Sequence, residues 1–156
     1  MARIIGANIN LTGTTALFAP GTIFQSHDNK TYVYVKASAA IVAADVCTYD
    51  ETFITVVAPI STSNDAKGDR VGVAPVAVAS GEYAWLQTQG VVTLNVLASC
   101  AANVRLNTTA TVGSLDDDAT AGSLPVEGLV LTTARGGTNG TAVGVLAVEA
   151  YQGTAI

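Results

Sequence analysis

The side chains best suited to chemistry in this chain are few and scattered. His27 is the sole histidine, and histidine is the side chain whose ordinary pKa lies closest to neutral pH. It stands beside Asp28 in the polar run Ser26-His-Asp-Asn-Lys30. A Ser-His-Asp hydrolase also requires a nucleophile on a strained elbow such as Gly-x-Ser-x-Gly, and no such elbow occurs. His27 is therefore read as an exposed turn residue, and no catalytic residue is assigned. Zinc needs clustered Cys or His ligands, whereas Cys47 and Cys100 are far apart, with no CxxC spacing and no neighbouring His. They are expected as buried small hydrophobes, with a disulfide or a reactive thiol as the alternatives. Asp116-Asp-Asp118, and separately Asn64, Asp65 and Asp69, offer hard oxygen ligands for Ca²⁺. Neither set has the alternating ligands, central Gly and closing Glu of an EF-hand loop, and both are read as solvated loops. Phosphate-cradling GxxxxGK[ST] and GxGxxG loops are absent,. No metal and no cofactor is expected, and the chain is not expected to be an enzyme.

A binding role has more to draw on. Tyr32, Tyr34, Tyr83 and Trp85 fall on segments with strand character, where alternate side chains share a face and could form a stacking platform. Core packing or a subunit interface is the other use of such residues. Tyr83, Trp85 and Gln87 share one face and are taken as the candidate subunit interface.

The elements that must position these groups read as strands throughout. Gly21-Thr-Ile-Phe24 and Thr31-Tyr-Val-Tyr-Val-Lys36 flank a polar turn and form a hairpin,, with Val33 and Val35 facing one way and Tyr32, Tyr34 and Lys36 the other. Residues 44–49 and 52–58 form a second pair, joined to the first by residues 37–44. After the polar stretch 61–69 comes Arg70-Val-Gly-Val-Ala74. Residues 82–88 and 91–97, separated by Gln89-Gly90, read as the clearest hairpin in the chain. Residues 103–108 and 110–115 follow, then the acidic loop, then 125–133 and 141–150 around a Gly-rich turn. Nine or ten strands at this spacing predict an all-β fold, a small barrel or a sandwich. Residues 1–24 hold no sustained period and are read as an extended N-terminal arm, with residues 25–156 as a single β domain.

Composition bounds what such a domain can do. Ala, Gly, Thr and Val fill more than half of the 156 positions. Charged residues make up 12%, about half the roughly 25% of an average soluble domain, so an obligate subunit fits better than a free monomer. The net charge of −5, with seven basic residues spread from end to end, argues against nucleic acid, which requires concentrated positive charge. No run approaches the length of apolar residues that spans a bilayer, and the N-terminus lacks the apolar core of a signal peptide. Neither a membrane nor the general secretory route is expected.

The order Val71-Gly-Val-Ala74, Ser80-Gly-Glu-Tyr-Ala-Trp-Leu-Gln-Thr-Gln-Gly-Val91, Asn103-Val-Arg-Leu106 and Val126-Glu-Gly-Leu-Val130 resembles tailed-phage capsid decoration, or cement, proteins. The resemblance covers roughly residues 70 to 150. It implies a small β-barrel or β-tulip-like domain, made in the host cytoplasm, that binds the major capsid protein on the outer surface of the virion. It also implies a homotrimer at three-fold and quasi-three-fold positions that stabilises the bacteriophage head. In such proteins the N-terminal arm orders on the capsid, often as an added strand. Carried to this chain, that makes Arg3, Ile4, Ile5, Asn8, Ile9, Asn10 and Leu11 the capsid-binding residues, with the isoleucines seeking pockets. The alternative is a carbohydrate- or receptor-binding β module of a phage tail or fibre, using Tyr83 and Trp85.

Overall fold

The computed structural model describes residues 3–4, 6–58 and 69–153, with the backbone alone described for Arg3, Ile4, Val148 and Glu149. Eleven strands and no helix occur among the described residues: β1 (Arg3–Ile4), β2 (Ile23–Gln25), β3 (Thr31–Ala37), β4 (Val46–Tyr49), β5 (Ile54–Val57), β6 (Arg70–Val73), β7 (Tyr83–Val96), β8 (Leu106–Thr108), β9 (Leu115–Asp116), β10 (Pro125–Leu131) and β11 (Gly140–Gln152). The chain is all-β, as expected, with somewhat more strands than the alternation suggests. β1 and β9 are two residues each, too short to show a period. No helix among the described residues is long and apolar enough to cross a membrane.

The strands close into two rings that share β7. In the first, β3 pairs with β5, β5 with β4, β4 with β6, β6 with β7 through Val73 and Gln87, and β7 returns to β3. In the second, β7 pairs with β11, β11 with β10, β10 with β8, β8 with β9, and β9 returns to β7 through Leu115 and Val96. Closure removes sheet edges within each ring; β1 and β2 extend the sheet beyond the first ring.

β7 departs from the sequence expectation. Residues 82–97 do not form a hairpin around Gln89-Gly90; they form a single 14-residue strand over Tyr83–Val96. Its first half pairs with β3 and its second half with β11, so the strand changes partners where the sequence predicts a turn. Glycine marks a bulge as readily as a turn. Here Gly90 has φ +97°, and a Cβ on it would lie 2.9 Å from the carbonyl oxygen of Asn29. The register slips by one residue beside it, with Thr31 opposite Gln89 and Tyr32 opposite Gln87. Gln87 Nε2 donates to the carbonyls of Gln89 (3.1 Å) and Val91 (2.8 Å), which braces the bend from inside.

Alternation along these strands fills three separate cores. Val33, Val35, Cys47, Ala84 and Leu86 pack inside the first ring. Val92, Leu94, Val96, Leu106, Leu129 and Leu146 pack inside the second, where Val46, Val71 and Val73 meet them from the outer face of the first. Tyr32, Tyr34 and Trp85 form the third, on the outside of the first ring. Buried Asp45 and half-buried Asn95 tie the rings together. Asp45 accepts from Val42 N–H (2.9 Å) through Oδ2, and from Asn95 Nδ2 (3.0 Å) through Oδ1.

Candidate functional site

The groups read as candidates for chemistry are dispersed or engaged. His27 is exposed in the β2–β3 turn. Its neighbour Asp28 accepts a hydrogen bond from the Ser26 hydroxyl and lies 3.2 Å from Lys30 Nζ. The Ser26 hydroxyl, then Lys30, hold the Asp28 carboxyl below its ordinary value. Both cysteines are free and buried. They lie in different cores, Cys47 in the first ring and Cys100 in the second, which rules out a bond between them. Burial raises the Cys47 thiol far above its ordinary value and pushes Cys100 up to about 12. A thiol that stays protonated is a poor nucleophile and a poor ligand.

The acidic loop folds over Cys100. The Cys100 thiol and the carboxylates of Asp116 and Asp117 come within 4.8 Å of one another. Asp116 Oδ1 accepts from Asp117 N–H at 3.0 Å. Burial raises the Asp116 carboxyl, with Asp117 and Asp118 adding to the effect. The other set, Asn64, Asp65 and Asp69, falls largely outside the described residues, which include only Asp69 of the three.

Surfaces are better organised than reactive groups. The first lies along the N-terminal segment. Arg3 and Ile4 form β1, which pairs parallel with β2 at the end of the sheet order, leaving its other side as an edge among the described residues. Ile5 lies outside the described residues. Asn8 then closes a turn: its carbonyl accepts from Leu11 N–H (3.2 Å) and its Oδ1 from Asn10 N–H (3.1 Å). Ile9 turns inward onto the aromatic core, as do Ala7, Phe18 and Phe24. Gly13 exchanges two backbone hydrogen bonds with Tyr83 (3.3 and 2.8 Å), and Leu17 N–H donates to the Tyr34 hydroxyl (3.2 Å). The segment is thus held against the first ring at several points. Between its loop and that ring lies a half-open cleft of about 460 Å³, lined by Asn8, Leu11, Thr12, Leu17, Phe18 and Trp85. Leu11 and Leu17 remain 46% and 59% exposed at its rim.

This packing changes how the three expected interface residues present themselves. Trp85 is 1% exposed, enclosed by Phe18 (5.4 Å between ring centroids), Phe24 (6.2 Å) and Tyr34 (5.0 Å). Gln87 is buried and committed to the bend in β7. Tyr83 alone of the three is partly exposed, stacked on Tyr34 with Lys36 over its ring at 5.6 Å. Within one chain, Trp85 and Gln87 therefore offer no surface to a second copy, and Trp85 offers no open ring face to a sugar. Phe18 and Phe24, which help to cover Trp85, lie far away along the chain, so strand alternation shows which residues share a face but not what covers it.

A second surface carries no sequence signal beyond β-branching. It is the outer face of β7, β11 and β10. Val91, Val145 and Val130 stand abreast on these three neighbouring strands, with Val91 opposite Val145 and Val145 opposite Val130. All three are exposed, Val91 by 55%, and so is Val143 in the next row opposite Thr93. No family model matches the chain, and no curated protein matches it.

Proposed function

We propose that the protein is a structural component of a tailed-phage head, a decoration protein that binds the outer capsid surface as a homotrimer at three-fold and quasi-three-fold positions. The observation that carries this reading is the N-terminal segment, which combines an edge strand at β1 with exposed Leu11 and Leu17 around an adjoining cleft. An edge strand offers backbone hydrogen bonds to a partner sheet, and apolar pockets beside it supply side-chain selectivity. The sequence resemblance over residues 70 to 150 supplies the class of partner, a major capsid protein. Each contact of this kind is small. Three joined copies engaging one shell gain effective concentration, so weak contacts sum to stable attachment.

The test uses purified protein and capsid shells assembled without it from the major capsid protein of the same phage. Saturable binding and a raised shell melting temperature are expected. The paired substitution Leu11→Asp and Leu17→Asp, at side chains that support no core, is expected to weaken binding by more than about tenfold, roughly 1.4 kcal/mol, while leaving the protein's own Tm unchanged. Absence of binding by the unaltered protein overturns the reading.

A further inference from the structure

From the turn between β10 and β11 we infer that Asn139 is a site of spontaneous covalent modification, where the chain converts this asparagine to aspartate and isoaspartate without an enzyme. The inference is independent of the function proposed above.

The reaction is an attack by a backbone nitrogen on the neighbouring side chain. Gly140 N gives up its proton to hydroxide and bonds to Cγ of Asn139. The Cγ–Nδ2 bond then breaks, and Nδ2 leaves as ammonia with a proton taken from water. The cyclic imide so formed is opened by water at either carbonyl. Breaking the new bond to Cγ restores the ordinary main chain and leaves aspartate. Breaking the original peptide bond leaves isoaspartate, with the main chain routed through the side chain. Water is the one co-reactant, and no electrons are exchanged with a redox partner. Either product adds one negative charge to the −5 of the chain.

The sequence and the turn both favour this residue. Of the eight asparagines, Asn139 alone precedes a glycine, and the missing Cβ leaves the nitrogen open to close approach. Asn95 and Asn107 precede β-branched Val96 and Thr108, and Asn107 is buried as well. Asn139 is exposed, so water reaches it and ammonia escapes. Its Oδ1 accepts from Ala98 N–H at 3.0 Å. A donor fixed on that oxygen stabilises the negative charge that gathers there as the nitrogen adds. The Arg135 guanidinium lies against the same peptide unit. Its Nη2 donates to the Asn139 carbonyl at 3.4 Å and sits 2.7 Å from where a Cβ on Gly140 would be. Hydrogen bonds from Nε to the Thr138 carbonyl (2.8 Å) and from Nη1 to the Thr141 carbonyl (3.2 Å) hold it there. Positive charge at this distance favours the deprotonated nitrogen. Gly140 is the first residue of β11, opposite Val96. Freeing its nitrogen therefore opens only the last pair of the ladder, and strand ends open at the least cost.

The experiment is incubation of the full folded chain at mildly alkaline pH, followed by peptide mapping by mass spectrometry with enzymatic detection of isoaspartate. Conversion at Asn139 is expected to run at least about tenfold faster than at any other asparagine, and to slow when the incubation is repeated at mildly acid pH. Asn139→Gln, which cannot form the same small ring, is expected to abolish the isoaspartate signal. Arg135→Gln is expected to slow conversion at least about threefold, with an unchanged circular dichroism spectrum. Because Arg135 also braces the turn, the unaltered chain decides the site by itself. Conversion at Asn139 no faster than at the other asparagines, or an isoaspartate signal that survives Asn139→Gln, overturns the inference. Equal rates in the unaltered and folded Arg135→Gln chains overturn the part assigned to Arg135.

Discussion

Asp116 sits where a carboxylate is costly. Burial beside Cys100 disfavours its charged form, and Asp117 and Asp118 add like charge. An acid whose pKa is higher in the folded than in the unfolded chain destabilises the fold at every pH above its folded value, and the penalty fades as the pH falls toward the unfolded value. Asp116→Asn removes that penalty while keeping an oxygen to accept the Asp117 N–H. It is expected to raise Tm near neutral pH, with the gain disappearing as the pH is lowered past the ordinary value of 3.8. Thermal melts of both proteins across that range check it, and an unchanged or lowered Tm at neutral pH contradicts it. The three aspartates are visible in the sequence as a charge run. Their approach to Cys100 is not, because it depends on how β8 and β9 fold back on β7.

Among the elements, β7 organises the molecule, since each ring closes on one of its halves. Its alternation is legible in the sequence: Tyr83 and Trp85 face one core, Ala84 and Leu86 a second, Val92, Leu94 and Val96 a third. Its continuity is not, because Gln89-Gly90 has the composition of a turn, and only the partners on either side decide between a reversal and a bend. The pair β2 and β3, where a true polar turn separates two β-rich runs, is legible in full. The bend itself makes a testable demand. Gly90 has φ +97°, with the Asn29 carbonyl 2.9 Å from where a Cβ would lie and the Lys30 backbone at 3.3 Å. An L-residue there is strained, and relief requires moving backbone. Gly90→Ala is expected to cost about 1–3 kcal/mol, read as a lowered midpoint in urea. Unchanged stability would mean that the strand can pass from β3 to β11 without this conformation.

At the scale of the whole molecule, the composition and the architecture account for each other. Two small rings sharing one strand leave narrow interiors, filled mainly by Val, Ala and Leu, with Tyr49 in the first and Phe53 packed against it. Most of the aromatic residues, Trp85 among them, are set outside the first ring, against the N-terminal segment. Small side chains bury less apolar area per residue, so each contributes less than the roughly 1.5–3 kcal/mol of a buried Leu or Phe. A chain built in this way gains by burying further area between copies, and the exposed valine row of β7, β11 and β10 is one such area. The nature of that contact fixes its response to salt. Association through ion pairs weakens as ionic strength rises, because screening shortens the reach of the attraction. In the proposed trimer, contact through that face would be apolar, and the long-range term between copies of charge −5 is repulsion. Raising salt from about 50 to about 500 mM shortens the Debye length from roughly 14 to 4 Å, and that screens the repulsion alone. The dissociation constant of the oligomer is expected to stay level or fall slightly over this range, measured by sedimentation at each salt concentration. A rise of about tenfold or more would place charged groups in the contact, and a different face of the molecule would then have to supply them.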